Sequence, residues 1–210
     1  PEVVTEGVRI LKAVCDIRRR PLELLELDLG ADRFLEEGIT FPTEVAEEIR
    51  DNCDAVLLGA LGDPRVPDLG YARDILFGLR FGMDLYANVR PVRCLHDSLM
   101  PLKGKTAEHC QFTVFRENTE GSYAGIGGQL HPNTSDEIAI VEDINTARGV
   151  ERILRTAFEF AEESGAKRVH MADKANAMNQ AHQLWRRLLD EVSADFEDIE
   201  AVPMYVDALC

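Results

Sequence analysis

Paired cysteines, basic residues and long apolar runs are all scarce in this sequence. The five cysteines, Cys15, Cys53, Cys94, Cys110 and Cys210, are scattered, with no CxxC pair and no histidine at metal-ligand spacing. That excludes a zinc module and a disulfide framework, and the cysteines read as reduced, mostly buried thiols of a cytoplasmic protein. Lys and Arg number 23 against 38 Asp and Glu, a formal net charge of −15. A field of that sign repels nucleic acid and anionic membrane surfaces, and no basic cluster interleaved with aromatics offers a local exception. No apolar run approaches the roughly 20 residues of a membrane span. Internal repeats, low-complexity tracts and a signal-peptide pattern are absent too. Pro1-Glu2 opens straight into a helical pattern without Met, so the expectation is a chain truncated at this end.

What is present reads as a globular α/β chain. Hydrophobic residues make up 45% and charged residues 29% of the 210 positions, the balance of a packed domain and not of a disordered segment. Val4, Val8, Leu11 and Cys15 recur at helical spacing behind Pro1. An apolar stretch at 22–29 predicts a short strand. Thr43 after Pro42 predicts a capped helix carrying Val45, Ala46 and Ile49, and DAVLLGAL at 54–61 predicts a buried strand. This alternation points to the first part of a parallel α/β sheet domain. A GDPRVPDLG loop leads into a helix over 72–81.

The pattern then changes. Strand-like stretches at 85–93, 111–116, 122–130 and 137–144 follow one another, the last two as a protruding β arm spanning 122–144. Val150, Ile153, Leu154, Ala157, Phe158 and Ala161 form one helical stripe stopped by Gly165. A strand at 169–172, a helix at 181–192 around Trp185 and a strand at 199–206 complete the chain. The domain boundary is expected near 85, giving units 1–85 and 86–210, the second a mixed α/β dimerisation domain.

Because the chain is acidic, an anionic substrate has to be held by a few arginines gathered locally. Arg80 and Arg90 in LRFGMDLYANVRP and Arg116 in VFRENTEGSY are the candidates, since guanidinium groups grip carboxylates bidentately. Tyr123 follows a glycine bend, Lys174 follows an apolar strand in HMADKANAM, and Asp207 closes AVPMYVDAL. At strand ends facing a cleft, a lysine can accept a proton, an aspartate can ligate a divalent cation and a tyrosine can return a proton. Taken singly, each also fits a plainer part: a surface ion pair, a half-buried aromatic, a solvated charge or a turn residue.

Their joint order carries more information. LRxxxDLYANVRPVR, RENTEGxYxG, DKANxM and YVDA occur in succession, and the series resembles that of the β-decarboxylating 2-hydroxyacid dehydrogenases, the family of isopropylmalate, isocitrate, homoisocitrate and tartrate dehydrogenases. The resemblance implies an isopropylmalate/isocitrate dehydrogenase-like fold and oxidative decarboxylation of a malate-type 2-hydroxy acid, with NAD or NADP and Mg2+ or Mn2+ as cofactors. It implies that Arg80, Arg90 and Arg116 hold the substrate carboxylates and that Tyr123 is the general acid. Lys174 would deprotonate the 2-hydroxyl, Asn176 would lie near the nicotinamide and Asp207 would ligate the metal. It also implies a homodimer whose active sites are shared between subunits, with the arm at 122–144 between them. Two further metal aspartates and an adenosine loop are implied that the 210 residues do not contain, so truncation is expected at the far end as well, and NAD versus NADP stays open.

Substrate choice is expected to depend on the helix before Arg80, where Leu76 and Phe77 make an apolar wall. Such a wall suits the isopropyl group of 3-isopropylmalate; an extra carboxylate set against it without a partner would cost several kcal/mol. RENTEGSY, in contrast, resembles the isocitrate and tartrate branches, and Arg73 occupies a helix position where isopropylmalate enzymes tend to have an acid, so isocitrate, homoisocitrate and tartrate or D-malate remain alternatives. A non-catalytic regulatory subunit of an isocitrate dehydrogenase is the alternative from another class.

Overall fold

The computed structural model describes residues 2–209; Pro1, expected at the head of the first helix, and Cys210 lie outside them. The described residues form two compact units that divide between Asp84 and Leu85. In the first, helices α1 (Glu2–Arg18), α2 (Ala31–Glu37), α3 (Thr43–Asn52) and α4 (Gly70–Gly82) are joined by extended segments. Ile49 from α3 and Tyr71, Ala72, Ile75 and Leu79 from α4 form its buried core with Val66, and Phe34 stacks on Tyr71 at 5.7 Å. The two aromatics pair α2 to α4, and Gly78 lets the Phe41 ring approach α4: a Cβ there would fall 2.2 Å from Phe41 Cδ1.

Three expectations are corrected in this unit. The stretches 22–29 and 54–61 form no strand, and the second is not buried: Val56, Leu57 and Leu58 are 44%, 57% and 42% exposed. Apolar β-prone residues become a strand only with a hydrogen-bonded neighbour, and neither stretch has one among the described residues. Thr43 is the first helical residue, not a cap, and its helix makes no side-chain cap hydrogen bond. The seven-residue α2 is too short to show a periodic stripe and was not expected.

The second unit holds the sheets. Strands β1 (Ala87–Arg93) and β2 (Gln111–Glu117) pair antiparallel, with Asn88 opposite Arg116 and Arg90 opposite Val114. Strands β3 (Gly127–Leu130) and β4 (Ile138–Val141) form an antiparallel hairpin whose residues are all exposed. The stretch expected as one strand from 122 starts instead as a 3-10 turn, Ser122–Ala124, between Gly121 and Gly125 at φ 76° and 74°. Left-handed backbone on both sides of Tyr123 breaks the extended run. Helix α5 (Ala147–Ser164) ends on Gly165 in the left-handed conformation, as its stop signal predicts. Strand β5 (Arg168–Asp173), helix α6 (Asn179–Ser193) and the parallel strand β6 (Glu200–Tyr205) form a β-α-β unit, followed by the short α7 (Val206–Leu209). Val150, Leu154 and Phe158 of α5 pack with Met171, Leu188, Leu189, Val192 and Phe196 as one core, in which Phe158 is fully buried.

Candidate active site

Directly opposed residues of an antiparallel pair project to the same face, as do residues two apart on one strand. Arg116 is opposite Asn88, and Arg90 lies two residues along, so both arginines occupy one face of the β1–β2 sheet. Arg90 Nε donates to Asn88 Oδ1 at 2.7 Å, which bends the guanidinium toward the Arg116 end. The Arg116 guanidinium lies over the Tyr123 ring, 4.7 Å from its centre. That contact orients the phenol, which stays 49% exposed and so accessible to a bound molecule.

The second grouping stands at the carboxyl ends of the parallel strands β5 and β6, where open α/β sheets bind ligands. Asp173 is opposite Tyr205 in the last rung of the ladder; Lys174 leaves β5 directly and Asp207 lies in the first turn of α7. The Lys174 ammonium pairs with the Asp207 carboxylate. The Lys174 hydrogen bond holds the Asp207 carboxyl below its ordinary range, against a smaller opposing push from burial. Asn176 follows in the turn and is exposed. Arg116 with Tyr123 and Lys174 with Asp207 are thus two separate pairs within this unit.

Leu76, Phe77 and Arg80 lie on α4 in the first unit. Leu76 is 37% exposed and Phe77 half-buried, and neither belongs to the buried core beneath α4. The Arg80 guanidinium lies 5.5 Å from the centre of the Phe77 ring, whose edge meets Phe81 at 5.3 Å. Spacings of three and four residues place Leu76, Phe77 and Arg80 on one open face of the helix.

Three side chains that position Lys174 escaped the sequence reading. Asp173 is almost wholly buried and accepts hydrogen bonds from Ala175 N at 2.9 Å and from Arg186 Nε at 2.7 Å. Burial pushes its carboxyl up, but the Arg186 and Ala175 donors and the Arg186 charge outweigh that and hold it below 3.8. Arg186 also covers the Tyr205 ring at 4.7 Å, and His182 Nδ1 accepts the Lys174 backbone N–H at 2.7 Å. One arginine therefore braces the ends of both strands. An acid at the last position of an apolar strand, just before the lysine, was the available signal. Behind Arg116 a similar brace forms: Glu117 accepts the backbone N–H groups of Thr119 and Glu120 at 2.7 and 2.6 Å and pairs with Arg152 at 2.9 Å.

The model of the isocitrate/isopropylmalate dehydrogenase family matches residues 1–210. The chain belongs to that family. Among its relatives, a 3-isopropylmalate dehydrogenase of Thermobifida fusca is 42% identical over 99% of this chain and 58% of its own length, and one of Frankia casuarinae is 43% identical over 99% and 59%. The chain thus spans a little under three-fifths of these isopropylmalate dehydrogenases. Among solved structures, a protein of Thermus thermophilus matches at a TM-score of 0.79 and 34% identity, over 98% of this chain and 39% of the other. An isocitrate dehydrogenase of Methylococcus capsulatus matches at 0.65 and 27%, over 86% and 51%. The cysteines stand apart from this agreement: Cys15, Cys53, Cys94 and Cys110 are free thiols but half-buried, not buried as expected; Cys53 lies at the margin of the first unit's core, Cys94 and Cys110 at strand ends, and Cys15 on α1, which has no buried residue.

Proposed function

We propose that the whole protein catalyses the NAD(P)- and divalent-metal-dependent oxidative decarboxylation of a malate-type 2-hydroxy acid, with 3-isopropylmalate as substrate. The observation that carries this reading is the Lys174–Asp207 pair at the strand ends of a chain whose family relatives include 3-isopropylmalate dehydrogenases. Arg90 and Arg116, on one sheet face, hold carboxylates by bidentate hydrogen bonds, and Arg80 adds a third grip beside the apolar Leu76 and Phe77, which face the isopropyl group. Lys174, once neutral, takes the proton of the 2-hydroxyl. After CO2 leaves, the Tyr123 phenol protonates the carbon that carried it, its ring held by Arg116.

The residues present fit the cofactors in part. Asp207 offers an exposed carboxylate as one oxygen ligand for Mg2+ or Mn2+, while no group of three metal-ligating side chains is gathered among the described residues. Asn176 offers an exposed amide beside the Lys174 turn for the nicotinamide end of NAD or NADP. When bound, the nicotinamide supplies the hydride acceptor and the cation the Lewis acid.

A homodimer with shared sites belongs to the same proposal: Lys174 and Tyr123 stand in separate pairs, and the exposed β3–β4 arm offers a clasp. A boundary near residue 85 between the α/β and dimerisation domains and a cytoplasmic location complete it. Isocitrate-type activity is the second reading, favoured by the RENTEGSY run. A panel of 3-isopropylmalate, isocitrate, homoisocitrate, tartrate and D-malate, assayed on the whole protein with each nicotinamide cofactor and Mg2+ or Mn2+, separates the two. Turnover of 3-isopropylmalate is expected; turnover of isocitrate alone would sink the role given to Leu76 and Phe77.

A further inference from the structure

We propose that Cys94 and Cys110 form a reversible redox pair that closes the open end of the β1–β2 sheet. The ladder pairs residues whose numbers sum to 204, from Ala87–Glu117 to Arg93–Gln111, and the next rung is Cys94 opposite Cys110. Its backbone bond is present: Cys94 N–H donates to Cys110 O at 2.9 Å. Opposed residues of an antiparallel pair share a face, and a hydrogen-bonded rung holds the two Cα atoms about 5.5 Å apart, inside the span a disulfide bridges. Both thiols are free and half-buried, so a small reagent reaches them, and the Cys94 thiol donates to His96 O at 3.2 Å.

The same geometry makes the bond labile. Across such a rung the Cβ atoms stand about 5 Å apart, wider than in a relaxed disulfide, and the strain raises its reduction potential. The rung can adjust because it keeps only one ladder bond: Cys110 N–H donates to Ala107 O and not across the strands. Between the two cysteines, residues 95–109 form a loop with Leu95, Leu99 and Leu102 exposed, and the closed pair would tie its two ends together.

The oxidant is a small-molecule disulfide of the glutathione class. One protein thiolate attacks a sulfur of the oxidant, forming a mixed disulfide and releasing one small thiol. The second protein thiolate attacks the protein sulfur of that mixed disulfide and releases the second. Two protein thiols are oxidised to one disulfide as the reagent is reduced to two thiols, and an excess of reduced reagent reverses both steps.

The test equilibrates the whole protein with oxidised and reduced glutathione at fixed ratios, blocks the remaining thiols and maps the peptides by mass spectrometry without reduction. A peptide pair cross-linked Cys94–Cys110, lighter by two hydrogen atoms and lost on adding reduced glutathione, is expected. Cys94→Ser and Cys110→Ser should each trap a lasting glutathione adduct on the cysteine that remains. Separate adducts on both cysteines of the unaltered protein, a cross-link to another cysteine, or no reaction at either would each overturn the proposal.

Discussion

At the scale of single residues, the site depends on short polar contacts. Lys174→Ala should abolish hydride transfer in the whole protein, and Tyr123→Phe should slow the late protonation, each read in stopped-flow traces at the nicotinamide absorbance. Mixing the two single variants should restore part of the activity if one site draws Lys174 and Tyr123 from different subunits; a mixture as inactive as its components would remove the shared-site reading. Asp173 supports a prediction about acid stability. Its carboxyl is held below 3.8 in the folded chain, so the unfolded state binds more protons as pH falls. The stabilisation is complete above that ordinary value and is lost as pH drops through the folded one. Asp173→Asn should therefore lower the urea midpoint at pH 7 and flatten its fall below about pH 4. Parallel curves for the two proteins would show that Asp173 contributes nothing to acid unfolding.

At the scale of elements, the entry to α5 joins the RENTEGSY turn to the core. Glu120 accepts Thr146 N and Thr146 Oγ1 at 2.8 and 2.6 Å, while Thr146 Oγ1 caps α5 by accepting Gly149 N–H at 3.0 Å. A Cβ at Gly149 would fall 2.3 Å from Glu120 Oε2. Gly149→Ala must therefore displace Glu120, and the lost cap contacts should cost about 1–2 kcal/mol despite the better helix propensity of alanine. Chemical denaturation measures this, and a stabilised variant would show that Glu120 moves aside freely. The helix N-terminus thus carries both fold stability and the placement of the turn that leads to Tyr123.

At the scale of the whole molecule, a net charge of −15 sets the long-range field. Like charges repel in the compact state, and at 0.1 M salt the Debye length is about 10 Å. Raising NaCl from low to moderate concentration should increase the melting temperature; an unchanged or falling value would mean that local ion pairs outweigh the net field. The arginines proposed to hold the substrate would work against this field, so they would need close, bidentate contact with an anionic ligand.

The strongly periodic elements were legible in the sequence: α5 with its Gly165 stop, α6 around Trp185 and the strand-like stretches that became β1 and β2 follow from local side-chain pattern, whereas the β1–β2 pairing does not. The candidates Arg80, Arg90, Arg116, Tyr123, Lys174 and Asp207 follow from the order of motifs and the family resemblance it carries, not from spacing. Tertiary structure alone decided which of these meet. Arg116 reaches Tyr123 because two left-handed glycines fold Ser122–Ala124 back into a turn, and Lys174 meets Asp207 because β5 and β6 run parallel and end together. It also decided that 22–29 and 54–61 find no strand partner among the described residues and that Arg186 braces Asp173 from 13 residues away. The physical reason is range: periodicity and turn chemistry act over a few residues, whereas a strand, a buried ion pair and a cleft each require a partner that local sequence does not specify.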